Sequence, residues 1–504
     1  MSISRVLFTM ALAFLLASAT ASAAVTWPYQ LDPAFSSNGY DTQEGAAQKL
    51  ALLGDDTIVA VTTPRTDGAG IYGHYGVWID LLRYGPNGLL KPWTGATGSP
   101  TRLRIPAWNG NSRYEAVRDI GISAAGYIYV LMDIRIDTYR DTNSGLYFVS
   151  PDGQASGLAT VVTTLSDVND IGVQMMLSGS QLLVLVSHQL LPGDDPWHVN
   201  RRDDVEIRAF KLEPNGSASV DATWGSGGTN GRTYSYNHCG LVDPGDPPPT
   251  GPCGIIGTHL IQDPNGALYV GGSVNPSISS DQDLFLLKLS AGGVVVTTHG
   301  SGGWVIRGGA GVEEKPGGLA IRQTGLVILP GPIYQFQYDV FVISAMQRAC
   351  GEGFIVYHFS SDGSYIDRTF TYGGGAAGVT LCASWRARDL VVVQDYPAGP
   401  SQLAIVGEYL TKPDSQNEPQ GHAAVLLTID PDDLPNSKTT QMILGGGVLP
   451  YDPWYGFRAV RYDSFGNRLV AVGNGVESNQ WDDYDVALTA RLKVAPLFSD
   501  GFED

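Results

Sequence analysis

The chain has 504 residues, 63 of them glycine, with 43% hydrophobic and 16% charged residues. That is too long for one ordinary compact core and too apolar for a disordered chain, so several domains or one large repetitive architecture is required. The formal charge of −19 at pH 7 repels phosphate backbones and anionic lipid, which argues against nucleic acid or a membrane surface as partner.

The first element is a targeting segment. Met1 to Arg5 is a short positive start, Val6 to Leu16 is an apolar run, and Ala21-Ser22-Ala23 is a small-x-small cleavage site, so residues 1–23 read as a signal peptide with the mature chain from Ala24. No later stretch approaches the roughly 18 consecutive apolar residues that cross a bilayer. A secreted product is expected, extracellular or at the cell surface, with the periplasm as an alternative. Cysteine usage agrees: Cys239, Cys253, Cys350 and Cys382 form an even set, which in an oxidising compartment favours two disulfides. Cys239 and Cys253 flank the Pro-rich stretch Asp243 to Pro252 and could close it, leaving Cys350 for Cys382, although spacing alone does not fix connectivity. No CxxC occurs, so a zinc knuckle is excluded.

Between residues 24 and 494 one unit recurs seven times. Each copy has a turn followed by a short apolar strand: Gly54 to Val61, Gly126 to Leu131, Gly179 to Val186, Gly266 to Gly272, Gly325 to Leu329, Ser401 to Gly407 and Gly466 to Gly473. A variable stretch follows, and then a second strand: Val77 to Tyr84, Leu146 to Ser150, Val205 to Leu212, Asp283 to Leu289, Gly353 to Phe359, Ala423 to Ile429 and Asp485 to Leu492. Six of these run into a turn: Pro86-Asn87-Gly88, Pro151-Asp152-Gly153, Pro214-Asn215-Gly216, Ala291-Gly292-Gly293, Ser361-Asp362-Gly363 and Pro431-Asp432-Asp433.

A third element, apolar-Asp-x-x-aromatic, follows some turns: Val220-Asp221-Ala222-Thr223-Trp224 and Ile366-Asp367-Arg368-Thr369-Phe370, with a degenerate copy from Val296 to Gly303. The last repeat lacks it, and the missing piece stands at the other end as Leu31-Asp32-Pro33-Ala34-Phe35. A ring of sheets closes with backbone hydrogen bonds when one unit is built from both termini. The expected fold is therefore all-β: a β-propeller of seven blades of four antiparallel strands, whose N- and C-terminal segments share the closing blade. A set of β-sandwiches with similar hairpins is the competing reading, and six or eight blades are the nearest variants.

The repeat, clearest from Gln262 to Trp304 and from Leu31 to Gly39, resembles the delta-60 repeat of bacterial exported proteins. That resemblance implies export and architecture rather than chemistry. The end of the chain, residues 495–504, carries Phe498-Ser499-Asp500-Gly501-Phe502-Glu503 and looks like the FxDGFE tail of secreted Gram-negative proteins, read either as a sorting tag or as a disordered tail.

Catalytic signatures are absent: no G-x-S-x-G, H-E-x-x-H or G-x-x-x-x-G-K-[ST] occurs. The acidic stretches lack calcium-loop spacing and the eight His are scattered, so no cofactor or metal is implied. What remains is the variable stretches, which a propeller places on one face, and their aromatics: Tyr72, His74, Trp197, Tyr334, Tyr409 and Trp481 are the candidate ligand-binding residues. Packing of loops against each other is the plainer role for the same residues. The expectation is a secreted, monomeric, non-catalytic scaffold that binds a polysaccharide or an extracellular protein through one face. The alternative is a propeller-type hydrolase or lyase acting on an extracellular glycan, with acidic loop residues as general acid and base.

Overall fold

The computed structural model describes residues 29–64, 76–106, 112–136, 142–163, 169–189, 204–225, 231–233, 255–274, 282–308, 314–329, 333–348, 351–372, 383–394, 401–411, 421–434, 438–445, 454–463, 468–478 and 483–494. All the regular structure among them is strand. No helix there is long and apolar enough to cross a membrane.

Seven sheets of four antiparallel strands succeed one another along the chain. Blade 1 is Ala46–Leu53, Asp56–Pro64, Val77–Tyr84 and Arg102–Arg104; blade 2 is Ser112–Ile122, Ile128–Ile136, Thr142–Val149 and Ser156–Val161. Blade 3 is Asn169–Ser178, Gln181–Gln189, Asp204–Leu212 and Ala218–Val220; blade 4 is Ile255–Gln262, Leu268–Val274, Asp283–Leu289 and Trp304–Arg307. Blade 5 is Glu314–Leu329, Ile333–Arg348, Gly351–Ser360 and Tyr365–Tyr372; blade 6 is Ala383–Gln394, Ser401–Thr411, Gly421–Ile429 and Lys438–Gly445. Blade 7 is Trp454–Asp463, Arg468–Ser478 and Asp483–Val494, and its fourth strand comes from the other end of the chain, as Tyr29–Leu31 and Tyr40–Glu44. Tyr29 pairs with Val494 and Tyr40 with Ala490, so the last strand is clasped along both halves. Blades 1 and 2 also touch through a single pair, Val77 with Tyr114.

The first strands of consecutive blades contact each other all the way round, and that of blade 7 contacts that of blade 1. The ring is closed and the first strands line its axis. Burial follows from this arrangement, because each blade is covered on both faces by its neighbours. Seven apolar clusters result, one per interface. Ile58, Ile79, Ile128 and Val130 fill the space between blades 1 and 2, and Phe35, Leu50, Val59 and Val470 that between blades 7 and 1; the other five interfaces are filled likewise. Sandwiched second strands consequently read as continuous apolar runs such as Leu182-Leu183-Val184-Leu185-Val186, buried on both faces.

One reading of the sequence is corrected. Gly325 to Leu329 is the end of a 16-residue first strand, which shifts register between Gln323 and Gly325 as it passes its partner, and the second strand of blade 5 is Ile333–Arg348.

The apolar-Asp-x-x-aromatic element has a mechanical role. In blades 7, 1, 3 and 4 the fourth strand is interrupted by an excursion that seats an aromatic ring on the turn of the next blade. A Cβ placed on the third residue of that turn would meet Phe35 (at Gly88), Trp93 (at Gly153), Trp224 (at Gly293) and His299 (at Gly363). These four glycines have φ between 75° and 83°. The turn's second carbonyl accepts a backbone N–H from the excursion: Ser36 to Asn87 at 2.9 Å, Gly95 to Asp152 at 2.9 Å and Gly300 to Asp362 at 3.1 Å. Its first carbonyl accepts a side-chain donor from the preceding blade: Arg491 to Pro86, Arg83 to Pro151 at 2.8 Å, Trp224 Nε1 to Ala291 at 2.8 Å and Lys288 to Ser361 at 2.8 Å. The turns of blades 1, 2 and 5 are thereby held at all three positions, and that of blade 4 at its first and third. The aspartates of the motif set up the excursion: Asp32 Oδ1 accepts Ala34 N–H at 3.1 Å while Oδ2 holds Arg491 at 2.8 Å, and Asp221 Oδ1 accepts Thr223 N–H at 3.1 Å. Burial works to raise the Asp32 pKa, but the Ala34 N–H, Arg491 and Lys493 outweigh it and hold the carboxyl below its ordinary value.

Candidate functional site: the central channel

Every first strand carries a β-bulge, and the bulges fall at matching positions. The register shifts between Ala47 and Lys49, Val117 and Asp119, Gly172 and Gln174, Gly257 and His259, Pro316 and Gly318, Ala387 and Asp389, and Phe457 and Ala459. A bulge adds a residue on one strand only and re-aims the side chain that follows. The seven residues just past the bulges are Lys49, Asp119, Gln174, His259, Gly318, Asp389 and Ala459, one per blade around the axis.

Part of this ring is structural. First strands are the inner edges of their sheets, with N–H groups that no fifth strand pairs. Gln174 Oε1 accepts Leu260 N–H of blade 4 at 2.7 Å, Asp119 Oδ2 accepts Met175 N–H of blade 3 at 3.0 Å, and Asp389 Oδ2 accepts Val460 N–H of blade 7 at 3.0 Å. Where the preceding blade supplies no acceptor, at Lys49 and Gly318, the aspartate of the next blade also accepts its own neighbour: Asp119 Oδ1 from Ile120 and Asp389 Oδ1 from Leu390, each at 2.9 Å. Both carboxylates are thus used on both oxygens, and Asp389 also holds Arg461 at 3.0 Å.

Lys49, Gln174, His259 and Asp389 of the ring line open space. A cavity of about 300 Å³ lies on the axis, lined by Lys49, Gln174, Thr258, His259, Arg388, Asp389 and Arg461 among others. A second, of about 560 Å³, shares Gln174, Leu260, Ile261 and Arg461 with it and reaches Asp119. Gly318 is buried, and Ala459 packs in the core between blades 7 and 1. Lys49 is half-buried. Burial, then the charge of Lys49, pushes the His259 pKa down to about 4, with Arg461 adding to the effect and Asp389 opposing it; the imidazole is neutral at pH 7. Burial raises the Asp119 pKa against the pull of Lys49, Arg461 and its two N–H donors. His259 Nδ1 lies 2.9 Å from Thr258 Oγ1. Among the described residues no group of three or more His, Cys, Asp or Glu is placed to hold a metal ion.

The aromatic candidates are not gathered here. Because strands alternate in direction, the connections from second to third strand and from blade to blade emerge on one face, and the tight turns on the other. Tyr72, His74, Trp197 and Trp481 lie outside the described residues, as do Cys239, Cys253, Cys350 and Cys382. Tyr409 stands at the loop-face end of its strand, half-buried against the core between blades 5 and 6. Tyr334 pairs with Ile328 at the start of its strand, which puts it at the end of the blade away from the loops. Its neighbour Tyr338 is buried there, bonded to Tyr269 and Lys288 at 2.9 Å. The channel residues were missed because each is one polar residue in a strand, scattered from position 49 to position 461. Counting back five residues from a turn glycine, as from Gly54 to Lys49 and from Gly179 to Gln174, or seven, as from Gly126 to Asp119 and from Gly266 to His259, is the signal that finds them.

No protein-family model and no curated protein matches the chain. Among solved structures it is similar to the polysaccharide lyase Uly1, at 11% identity and a TM-score of 0.44, covering 90% of each chain. It is similar to a Penicillium chrysogenum α-L-arabinanase complexed with arabinobiose at 10% identity and a TM-score of 0.38, over 74% of this chain and 92% of that one. It is also similar to a Trypanosoma rangeli sialidase in complex with the inhibitor DANA at 10% identity and a TM-score of 0.37; 78% of this chain is covered, and it spans 56% of the sialidase chain.

Proposed function

We propose that the protein is an exported polysaccharide-binding propeller that takes part of its ligand into the central channel and the rest on the surrounding loop face. The observation that supports this reading is the bulge ring. It delivers a cation, an amide and a neutral imidazole from separate blades to a cavity of about 300 Å³ on a rigid scaffold. That volume is at the lower end of the range for small-ligand sites, and convergent polar groups in a preformed hollow are what such sites require. Export rests on the signal-like residues 1–23, and the likeness to the delta-60 repeat and the two disulfides belong to the same proposal.

A second reading, a hydrolase or lyase acting on an extracellular glycan, is favoured by Asp119 and His259. Their environments push the carboxyl up and the imidazole down, so that a carboxyl with a raised pKa and a neutral imidazole line the channel. Against it, both oxygens of Asp119 are occupied by backbone N–H groups. A glycan array probed with purified protein, followed by reducing-end assay of each hit, separates the readings. Binding without release is expected; release that is lost in Asp119→Asn or His259→Ala would establish turnover, and an array with no hit would remove both readings.

A further inference from the structure

We propose that the channel holds a carboxylate-bearing sugar, a uronic acid unit, with the Lys49 ammonium as its counter-charge. This rests on the glycan-binding reading and names the class of sugar.

The argument is one of charge inventory in a confined space. Among the described residues the channel's other charges are committed to the protein. Arg461 is bonded to Asp389 at 3.0 Å and Arg388 to Glu408 at 2.5 Å, while Asp119 and Asp389 spend their oxygens on inner-edge N–H groups. Lys49 lies in the same cavity wall, half-buried, and neither ion pair nor hydrogen bond joins it to a described carboxylate. Asp119 acts on Lys49 only across the channel, with both its oxygens already taken by backbone N–H groups. A cation in a partly desolvated hollow that no ion pair satisfies is a binding site for an external anion.

The shape and lining narrow that anion. The cavity of about 300 Å³ accommodates a monosaccharide unit or two. Gln174, with its amide fixed by Leu260, and the Thr258–His259 pair supply donors and acceptors for hydroxyls. A molecule with one carboxylate and several hydroxyls matches a single uncommitted ammonium surrounded by neutral polar groups. The overall charge of −19 disfavours densely anionic ligands, so one acidic unit among neutral ones fits the protein better than a polyphosphate or polysulfate.

The test is titration calorimetry on the full mature chain with glucuronic acid, galacturonic acid and their short oligomers, using glucose and acetate as controls, for wild type, Lys49→Gln and Lys49→Arg. Expected are uronate binding that weakens with salt, a loss of about tenfold or more in Lys49→Gln, and recovery in Lys49→Arg. Uronates binding no better than glucose, or equally well to Lys49→Gln, would overturn the proposal. Acetate binding as tightly as the uronates would overturn its sugar half. If neutral glycans bind while uronates do not, this inference fails and the proposed function stands; if no glycan binds, both fail. Should Lys49→Gln not fold, the salt dependence of the wild type and the affinity of Lys49→Arg decide.

Discussion

At the scale of single residues, the third position of each turn is the most exacting site outside the channel. Gly88 has φ of 75°, and a Cβ there would lie 2.4 Å from Ser36 N and 2.6 Å from the Phe35 ring. Gly88→Ala should therefore cost about 2–4 kcal/mol, from left-handed strain together with overpacking, and lower the Tm; an unchanged midpoint in urea would contradict the seating of Phe35. His299 fills the aromatic place in blade 4, 1% exposed and edge-on to Tyr269. Burial, then Lys288, pushes its pKa from 6.5 down to about 4, against Ser361 and Asp362. The unfolded chain binds this proton near pH 6.5 and the folded chain only near 4, so stability is full above 6.5 and falls as pH drops through that window, by roughly 3 kcal/mol. His259 adds a decline of the same sign. His299→Phe should keep the seat filled and flatten the decline measured by urea unfolding between pH 7 and pH 4.5. An equally steep decline would place the effect elsewhere. The sequence announces the turn glycines by their motif, but not the ring atoms that press on them. Trp93 escaped notice because its excursion has no aspartate: Lys91 and Arg83 instead pair with Asp56, on the second strand of the blade.

At the scale of elements, the interrupted fourth strand is both the sequence signature of the repeat and its main inter-blade joint. Trp224 combines the two uses, packing over Gly293 and donating to Ala291. Trp224→Ala should cost about 3–5 kcal/mol and Trp224→Phe about 1, the latter removing the hydrogen bond alone. Equal losses for the two would show that the ring contributes nothing beyond its N–H. Strands were legible where turn chemistry and periodicity agreed: Val77–Tyr84 and Asp283–Leu289 have the bounds that alternation and the following turn imply. Blade 5 was misread because Gly325, which resembles a turn glycine, sits within a long strand at a register shift. Bulges were illegible for a related reason, since an extra residue in a strand changes pairing without changing composition.

At the scale of the whole molecule, the exchanged terminal element was legible from position alone, because Leu31 to Gly39 supplies what the last repeat lacks. The structure adds the strength of the joint: Asp32 and Arg491, both buried, pair across the two ends of the chain at 2.8 Å beneath three strand pairs. Removing residues 24–44 should abolish a single cooperative thermal transition or lower the Tm by upward of roughly 10 °C, by calorimetry; Asp32→Ala alone should cost about 3–5 kcal/mol by stranding the guanidinium. An unaltered transition in the truncated chain would mean that the ring closes without its clasp. The channel could not be read before closure, since its residues converge only when seven blades are in place. Joining first strand to last also sets an order in time. During synthesis from the N-terminus, the strands Tyr29–Leu31 and Tyr40–Glu44 have no strand to pair with until residues 486–494 have emerged, more than four hundred positions later. The ring therefore stays an open arc through almost the whole of elongation, with its first-made strand waiting for its last.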